Sequence, residues 1–200
     1  MSSTSAPSGR RERNKQEKLE RITRAASDLF AQHGVDDVTT QQIAEAADIG
    51  AGTLFLYAKT KGELLLLAQN DNYSRSLERG RVAAAEATTT LDAVLAVVTP
   101  IVECNRAQVE NGRTYLREMV FGDPAEPHHA EALSIVARTE ALITEVIADR
   151  SGVEAAQAAT LAHVVSAVQL VAMASAVDEA TTVAEVVATI SAQLEVVLPR

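Results

Sequence analysis

The sequence predicts an all-α fold, on three observations. Apolar residues fill 47% of the 200 positions but are mainly Ala, Val and Leu, with 3% aromatics and no Trp, and Ala and Leu are strong helix formers. Helix breakers are few, at 9 Gly and 5 Pro. Charged residues are spread through the apolar ones, and neither a strand pattern nor a long-period repeat interrupts them.

The elements follow in order. Leu19, Ile22, Ala26, Leu29 and Phe30 form one helical stripe that ends at Gly34, a C-cap residue. Thr39 with Gln42 is a capping-box pattern, so a second helix starts near Thr40 and turns Ile43, Ala44 and Ala47 inward. Asp48-Ile49-Gly50 breaks it. Residues 51–58 then leave room for about two turns of a third helix, before a second capping box, Thr60-Lys61-Gly62-Glu63, opens a fourth toward Ala85. Residues 91–108 form a helix that Pro100 kinks or divides. Four further helices are expected over 114–121, 128–150, 153–177 and 183–198, separated by Gly122-Asp123-Pro124, Ser151-Gly152 and the polar turn 178–182.

Charge divides the chain. The net charge is −9, yet residues 10–24 hold seven Lys or Arg against three Glu, whereas from Glu63 onward nine basic residues face nineteen acidic ones. A polyanion-binding end joined to a body with another task fits that asymmetry, and a solvated helix face is the plain alternative. The single cysteine, Cys104, excludes an intrachain disulfide. The first residues, MSSTSAPSGRRERNK, lack the apolar core of a signal peptide. The longest apolar stretch, VVSAVQLVAMASAV, is short and is interrupted by Ser166, Gln169 and Ser175. A cytoplasmic protein without a membrane partner is therefore expected. Domain limits are placed at 1–12 for a disordered basic tail, 13–60 for the first domain and 61–200 for the second.

Two short helices joined by a tight turn, with a third in front, describe a helix-turn-helix. At about 100° per residue, Leu54 on the core brings Ala58 beside it and Tyr57 to the edge. Gly52 and Leu56 point away, with Thr53 and Phe55 on the flanks. The outer face is thus small or apolar where a solvated helix is charged. It suits a major groove, whose floor offers thymine methyls to apolar side chains and acceptors to Thr or Gln. Ala51 and Gly52 would permit close approach to the duplex, and Lys61, unfavourable for the helix dipole, suits a phosphate. Packing of TLFLY on all sides, or docking of Phe55 and Leu56 on a partner helix in a protein-interaction module, are the alternatives.

The run TTQQIAEAADIGAGTLFLYAKTKGELLLLA, with LERITRAASDLFAQHG before it, resembles the N-terminal domain of the TetR family of bacterial transcriptional regulators over residues 15–68. The resemblance implies an all-helical homodimer of about nine helices. It further implies binding to palindromic double-stranded DNA operators and, for a repressor, release when a small molecule enters a C-terminal ligand-binding and dimerisation domain. Carried over, Thr39 or Thr40 would contact phosphate and Gln41 a base. Ala51, Gly52, Thr53, Phe55 and Leu56 lie on the recognition helix, and Tyr57 and Lys61 take phosphate positions. Gly50 stands where Ser usually caps the third helix, Phe55 where Tyr is common, and Ala58 and Lys59 where Phe and Pro or Gly are frequent.

In the body, the last two helices carry more apolar surface than one partner helix can bury, which predicts a four-helix bundle across a two-fold axis. Leu161, Val165, Val168, Ala172, Val187, Ile190 and Leu194 are the expected interface residues. A largely apolar effector would meet Cys104, Arg106, Tyr115, Met119, Phe121 and Gln169, the polar or adaptable groups of otherwise aliphatic helices. Adjacent His128 and His129 diverge on a helix, so no metal is expected, nor any cofactor. No phosphate-cradling glycine loop, nucleophile elbow or zinc-hydrolase motif is present, so no enzymatic activity is expected.

Overall fold

The computed structural model of the protein describes residues 9–199. These form nine α-helices and no strand: α1 (Arg10–Asp37), α2 (Thr40–Ala46), α3 (Ala51–Leu54), α4 (Lys61–Glu86), α5 (Thr90–Arg106), α6 (Val109–Phe121), α7 (Pro127–Ser151), α8 (Ala155–Ser175) and α9 (Val183–Val197). Residues 1–8 of the expected tail lie outside the described residues, and 10–12 are already helical. The Gly9 carbonyl accepts from the Glu12 and Arg13 amides, and Glu12 in the first turn suits the helix dipole.

Local chemistry explains the other departures. Gly34, at φ +75°, breaks α1 as expected, but one more turn follows before Val38. The third helix is four residues, not eight. Beyond Leu54 the amides of Leu56 and Tyr57 reach back three residues, to Thr53 and Leu54, a tightened turn. Only half of the second capping box forms. Thr60 accepts from the Glu63 amide at 3.1 Å, whereas the Glu63 carboxylate takes the Lys59 amide at 2.6 Å. Pro100 neither divides α5 nor appears among the non-helical positions, and the helix runs unbroken around it. α6 starts five residues earlier than expected because the Gln108 side chain caps it, accepting from the Asn111 amide at 2.7 Å. α8, at 21 residues, is long and apolar enough to cross a membrane by length and composition alone, contrary to expectation. Here one face, Ala158, Ala162, Val165, Gln169 and Met173, is buried in the chain, which packs against α7 and α9.

Two cores hold these helices. One gathers Ile22, Phe30, Ile43 and Leu54 with Leu64 and Tyr73 of α4, and continues into Ile101, Tyr115 and Ile135. The other joins α4 and α5 to α7, α8 and α9 through Val94, Val97, Ile143, Ile147, Val165 and Ile190. α4 belongs to both. It passes close to the α5 backbone at Gly80, where a Cβ would lie 2.8 Å from the Val97 carbonyl oxygen and 2.9 Å from its Cα. Alanine there gains about 1 kcal/mol of helix propensity but forces two backbones apart, at about 1–3 kcal/mol. Gly80→Ala should therefore lower the stability measured by urea unfolding, and a more stable variant would show that this contact does not set the α4 to α5 spacing.

Candidate functional site

The N-terminal helices bring the expected DNA-contacting residues onto one unit. α2 starts at Thr39, whose hydroxyl accepts the Gln42 amide at 3.2 Å and lies 2.9 Å from Gln42 Oε1. That complete capping box commits the Thr39 hydroxyl, so the neighbouring half-buried Thr40 is the better placed of the two for a phosphate. Gln41 is exposed and donates to Glu45 at 2.8 Å. Gly50 begins α3 without a side-chain cap. Leu54 is fully buried, while Phe55 is 46% and Leu56 82% exposed. The chain therefore presents the apolar outer face that helical arithmetic placed there. A Cβ at Gly52 would meet nothing within 4 Å, so internal packing makes no demand for glycine there, and its smallness opens space outward.

The cationic and aromatic neighbours are held in place by backbone. Tyr57 donates its hydroxyl to the Lys15 carbonyl at 3.4 Å, and the Lys61 ammonium donates to the Asp36 carbonyl at 3.2 Å. Lys59 pairs with Glu126, whose carboxylate raises the ammonium's pKa by hydrogen bond and charge. Between α2 and α3 the turn passes through Asp48 at φ +52°, among the described residues the one non-glycine position with positive φ. Its carboxylate meets Arg21 at 3.3 Å, on the surface.

The body holds a cavity of about 350 Å³ between α4, α5, α6, α7 and α8. Of the six expected effector residues, Tyr115, Met119 and Gln169 line it. Tyr73, Ile101, Ile135, Thr139, Glu140 and His163 also line it and were missed, since aliphatic helix positions give no local sign of which turn faces a void. Cys104 faces a different, more polar cavity of about 480 Å³, bounded by Arg75, Arg79 and Glu103 and sharing Tyr73 and Tyr115 with the first. Burial raises the Cys104 thiol's pKa. Arg106 is not a pocket residue. Its guanidinium donates to the carbonyls of Ala176, Asp178 and Thr181 at 2.6, 2.9 and 2.5 Å, tying down the turn after α8. Phe121 ends α6 at 83% exposure and lies outside both cavities.

Tyr73 and Tyr115 stack between the cavities, with ring centroids 4.1 Å apart. Burial pushes both phenols up from their ordinary pKa, so they stay protonated. The Tyr115 hydroxyl donates to Asn70 at 2.9 Å, Asn70 donates to the His128 carbonyl at 3.0 Å, and His128 Nε2 lies 2.9 Å from the Tyr57 carbonyl oxygen. Because that oxygen only accepts, Nε2 carries the proton. A continuous polar path thus joins the cavity wall to the segment after α3.

Of the expected interface residues, Val165, Ile190 and Leu194 are fully buried within the chain and are unavailable to a second copy. Leu161, Val168, Ala172 and Val187 are half-buried, while Val171 and Val196 are 63% and 86% exposed. Among the described residues no group of His, Cys, Asp or Glu is arranged to hold a metal.

Two short helices with an apolar outer face, joined to a helical body that encloses a cavity, form a helix-turn-helix arrangement. Residues 22–68 match the family described as bacterial regulatory proteins, tetR family. Among solved structures, a TetR transcriptional regulator from Rhodococcus sp. RHA1 superposes with TM-score 0.68 at 16% identity, over 92% of this chain and 97% of that one. The fatty acid degradation regulator FadR from Bacillus halodurans gives 0.60 at 16%, over 88% and 96%. The TetR-family repressor FadR of Thermus thermophilus, solved with lauroyl-CoA, gives 0.61 at 22%, over 89% and 93%. These share the fold. No curated protein sequence matches the chain.

The Asp48 turn yields a direct test. Glycine reaches positive φ without the steric cost an L side chain bears, and the surface pair with Arg21 is worth little. Asp48→Gly should leave thermal stability unchanged or raise it by up to about 1 kcal/mol, whereas Asp48→Val should lower it.

Proposed function

We propose that the protein is a ligand-responsive repressor, which binds a palindromic operator as a homodimer and leaves it when a largely apolar small molecule fills the cavity between α4 and α8. The observation that carries this reading is the hydrogen-bonded path from Tyr115, in the cavity wall, to the Tyr57 carbonyl in the reading segment. A molecule that displaces Tyr115 disturbs Asn70 and His128, and with them the seat of Tyr57. Such coupling needs differential contact with two states of the protein, which displacement of Tyr115 would supply.

On the DNA side, Thr40, Tyr57 and Lys61 serve as phosphate contacts. Gln41, Thr53 and the small face of Ala51 and Gly52 approach base edges, and Phe55 and Leu56 cover thymine methyls. In the dimer, Leu161, Val168, Ala172 and Val187 with the exposed Val171 meet their copies across a two-fold axis, which removes the bare apolar face of α8 from water. The FadR of Thermus thermophilus, whose structure holds lauroyl-CoA, supports an apolar effector class.

Gel shift on the DNA upstream of the gene, across a salt series, tests the reader. Binding should weaken steeply with salt, and Lys61→Ala should weaken it on every sequence while reducing the slope of log K against log salt by about one. Retained affinity in that variant would remove Lys61 from the contact set. The path through α7 is tested by amide exchange over residues 55–61. His128→Phe should speed it several-fold and His128→Gln, which restores a donor, should return it toward the original rate. Equal exchange in all three proteins would show that α7 does not hold this segment.

A further inference from the structure

The effector cavity is apolar on most sides. Ile101, Leu116, Met119 and Ile135 form walls from α5, α6 and α7. α8 differs, contributing His163, Ser166 and Gln169 at steps of three residues, each step about 4.5 Å further along the helix. The outermost, His163, is exposed and meets Glu140 at 3.0 Å across the rim. The innermost, Gln169, is only 5% exposed.

Gln169 carries two amide donors and a carbonyl acceptor, and none of them has a hydrogen-bond partner among the described residues. Its side-chain atoms nevertheless escape the set of sealed, unpartnered polar atoms, which comprises Asn111 Oδ1 and His129 Nδ1. The amide therefore borders the void itself. The Thr139 hydroxyl donates to the Ile135 carbonyl at 2.9 Å and the Tyr115 hydroxyl to Asn70, so neither of these donors is left for a ligand. A buried amide left dry costs free energy that nothing in an apolar wall returns. A ligand that is hydrocarbon throughout its buried length, as a plain acyl chain is, would leave it so.

We propose that Gln169 is the specificity-determining residue of this cavity, and that the effector is a compact apolar molecule whose innermost end bears a neutral hydrogen-bonding group, such as a hydroxyl, ketone or carboxamide. The inference rests on the effector-cavity reading of the preceding section. A charged group does not suit that end, because the wall holds no Lys, Arg, Asp or Glu except Glu140, which stands with His163 at the rim. A site built to pair a polar group discriminates strongly against the analogue that lacks it.

The matched probes biphenyl and 4-phenylphenol share one skeleton and differ by a hydroxyl. Titration calorimetry of both against the full chain and against Gln169→Leu reads the ratio of their dissociation constants. The original protein should favour 4-phenylphenol relative to Gln169→Leu by at least about tenfold in that ratio, and Gln169→Leu should retain biphenyl, which shows that its cavity is intact. Gln169→Met serves as a second, unbranched replacement should the leucine variant fail to fold. If both probes bind and the ratio is the same in all proteins, Gln169 does not select the ligand and the inference falls while the cavity reading stands. If neither probe binds any of the proteins, the cavity reading itself falls, and this inference with it.

Discussion

The helix-turn-helix unit has no core of its own. Phe30, Ile43 and Leu54, which hold its three helices together, lie in one apolar cluster with Leu64 and Tyr73 of α4, and that cluster runs on into Ile101, Tyr115 and Ile135 of the body. Packed interiors have few voids and transmit displacement. The wall of the cavity between α4 and α8 and the floor beneath α3 are therefore two faces of one piece of packing. The 26 residues of α4 make this possible: its first turn presents Lys61, its middle carries Tyr73, and its far half enters the second core through Leu77 and Ala84.

Polar contacts then fix what packing leaves free to slide. The turn that opens α7 lies at the junction, with Glu126 paired to Lys59, His128 at the Tyr57 carbonyl and His129 at the Met119 carbonyl, 3.0 Å away. A second seam joins α1 to α6. Asn111 donates to the Phe30 carbonyl at 2.8 Å, and Glu110 accepts the Asp36 amide at 3.2 Å. Asp36 raises the Glu110 pKa through a hydrogen bond between the carboxyls. Hydrogen bonds to buried carbonyls are costly to break without replacement. They hold the junction in one arrangement.

Two surfaces of the single chain remain apolar, for different reasons. The outer side of the α3 segment bears Phe55 and Leu56 over a narrow base of Gly52 and Thr53, and is too small to be a missing core. The outer side of α8, with Val171 and its half-buried neighbours, is long and nearly free of charge. Natural monomers seldom leave contiguous apolar faces in water, and these two differ in size as a groove contact and a helix-packing contact differ.

Much of this was legible in the residues. Capping signals at Thr39 and Thr60 mark helix starts because a hydroxyl must take an amide there, and Gly34 and Gly152 mark ends at positive φ. The order of short helices, and the exposure of Phe55 and Leu56, followed from spacing alone. The sequence could not say that Glu63 would turn from its own cap to the Lys59 amide, since that choice depends on how the chain arrives from α3. Nor could it divide α8 between neighbours. Helical periodicity shows that Val165 and Val168 share a side, but not that other helices of the chain lie close enough to bury the first completely. Arg106 and Phe121 went astray in the same way, one drawn to the carbonyls after α8 and the other turned to solvent. Local rules act over about four residues and so determined the helices, their caps and the reading face. The cavity, the polar path through α7 and the lone amide of Gln169 come from segments tens of residues apart, and only their packing could decide them.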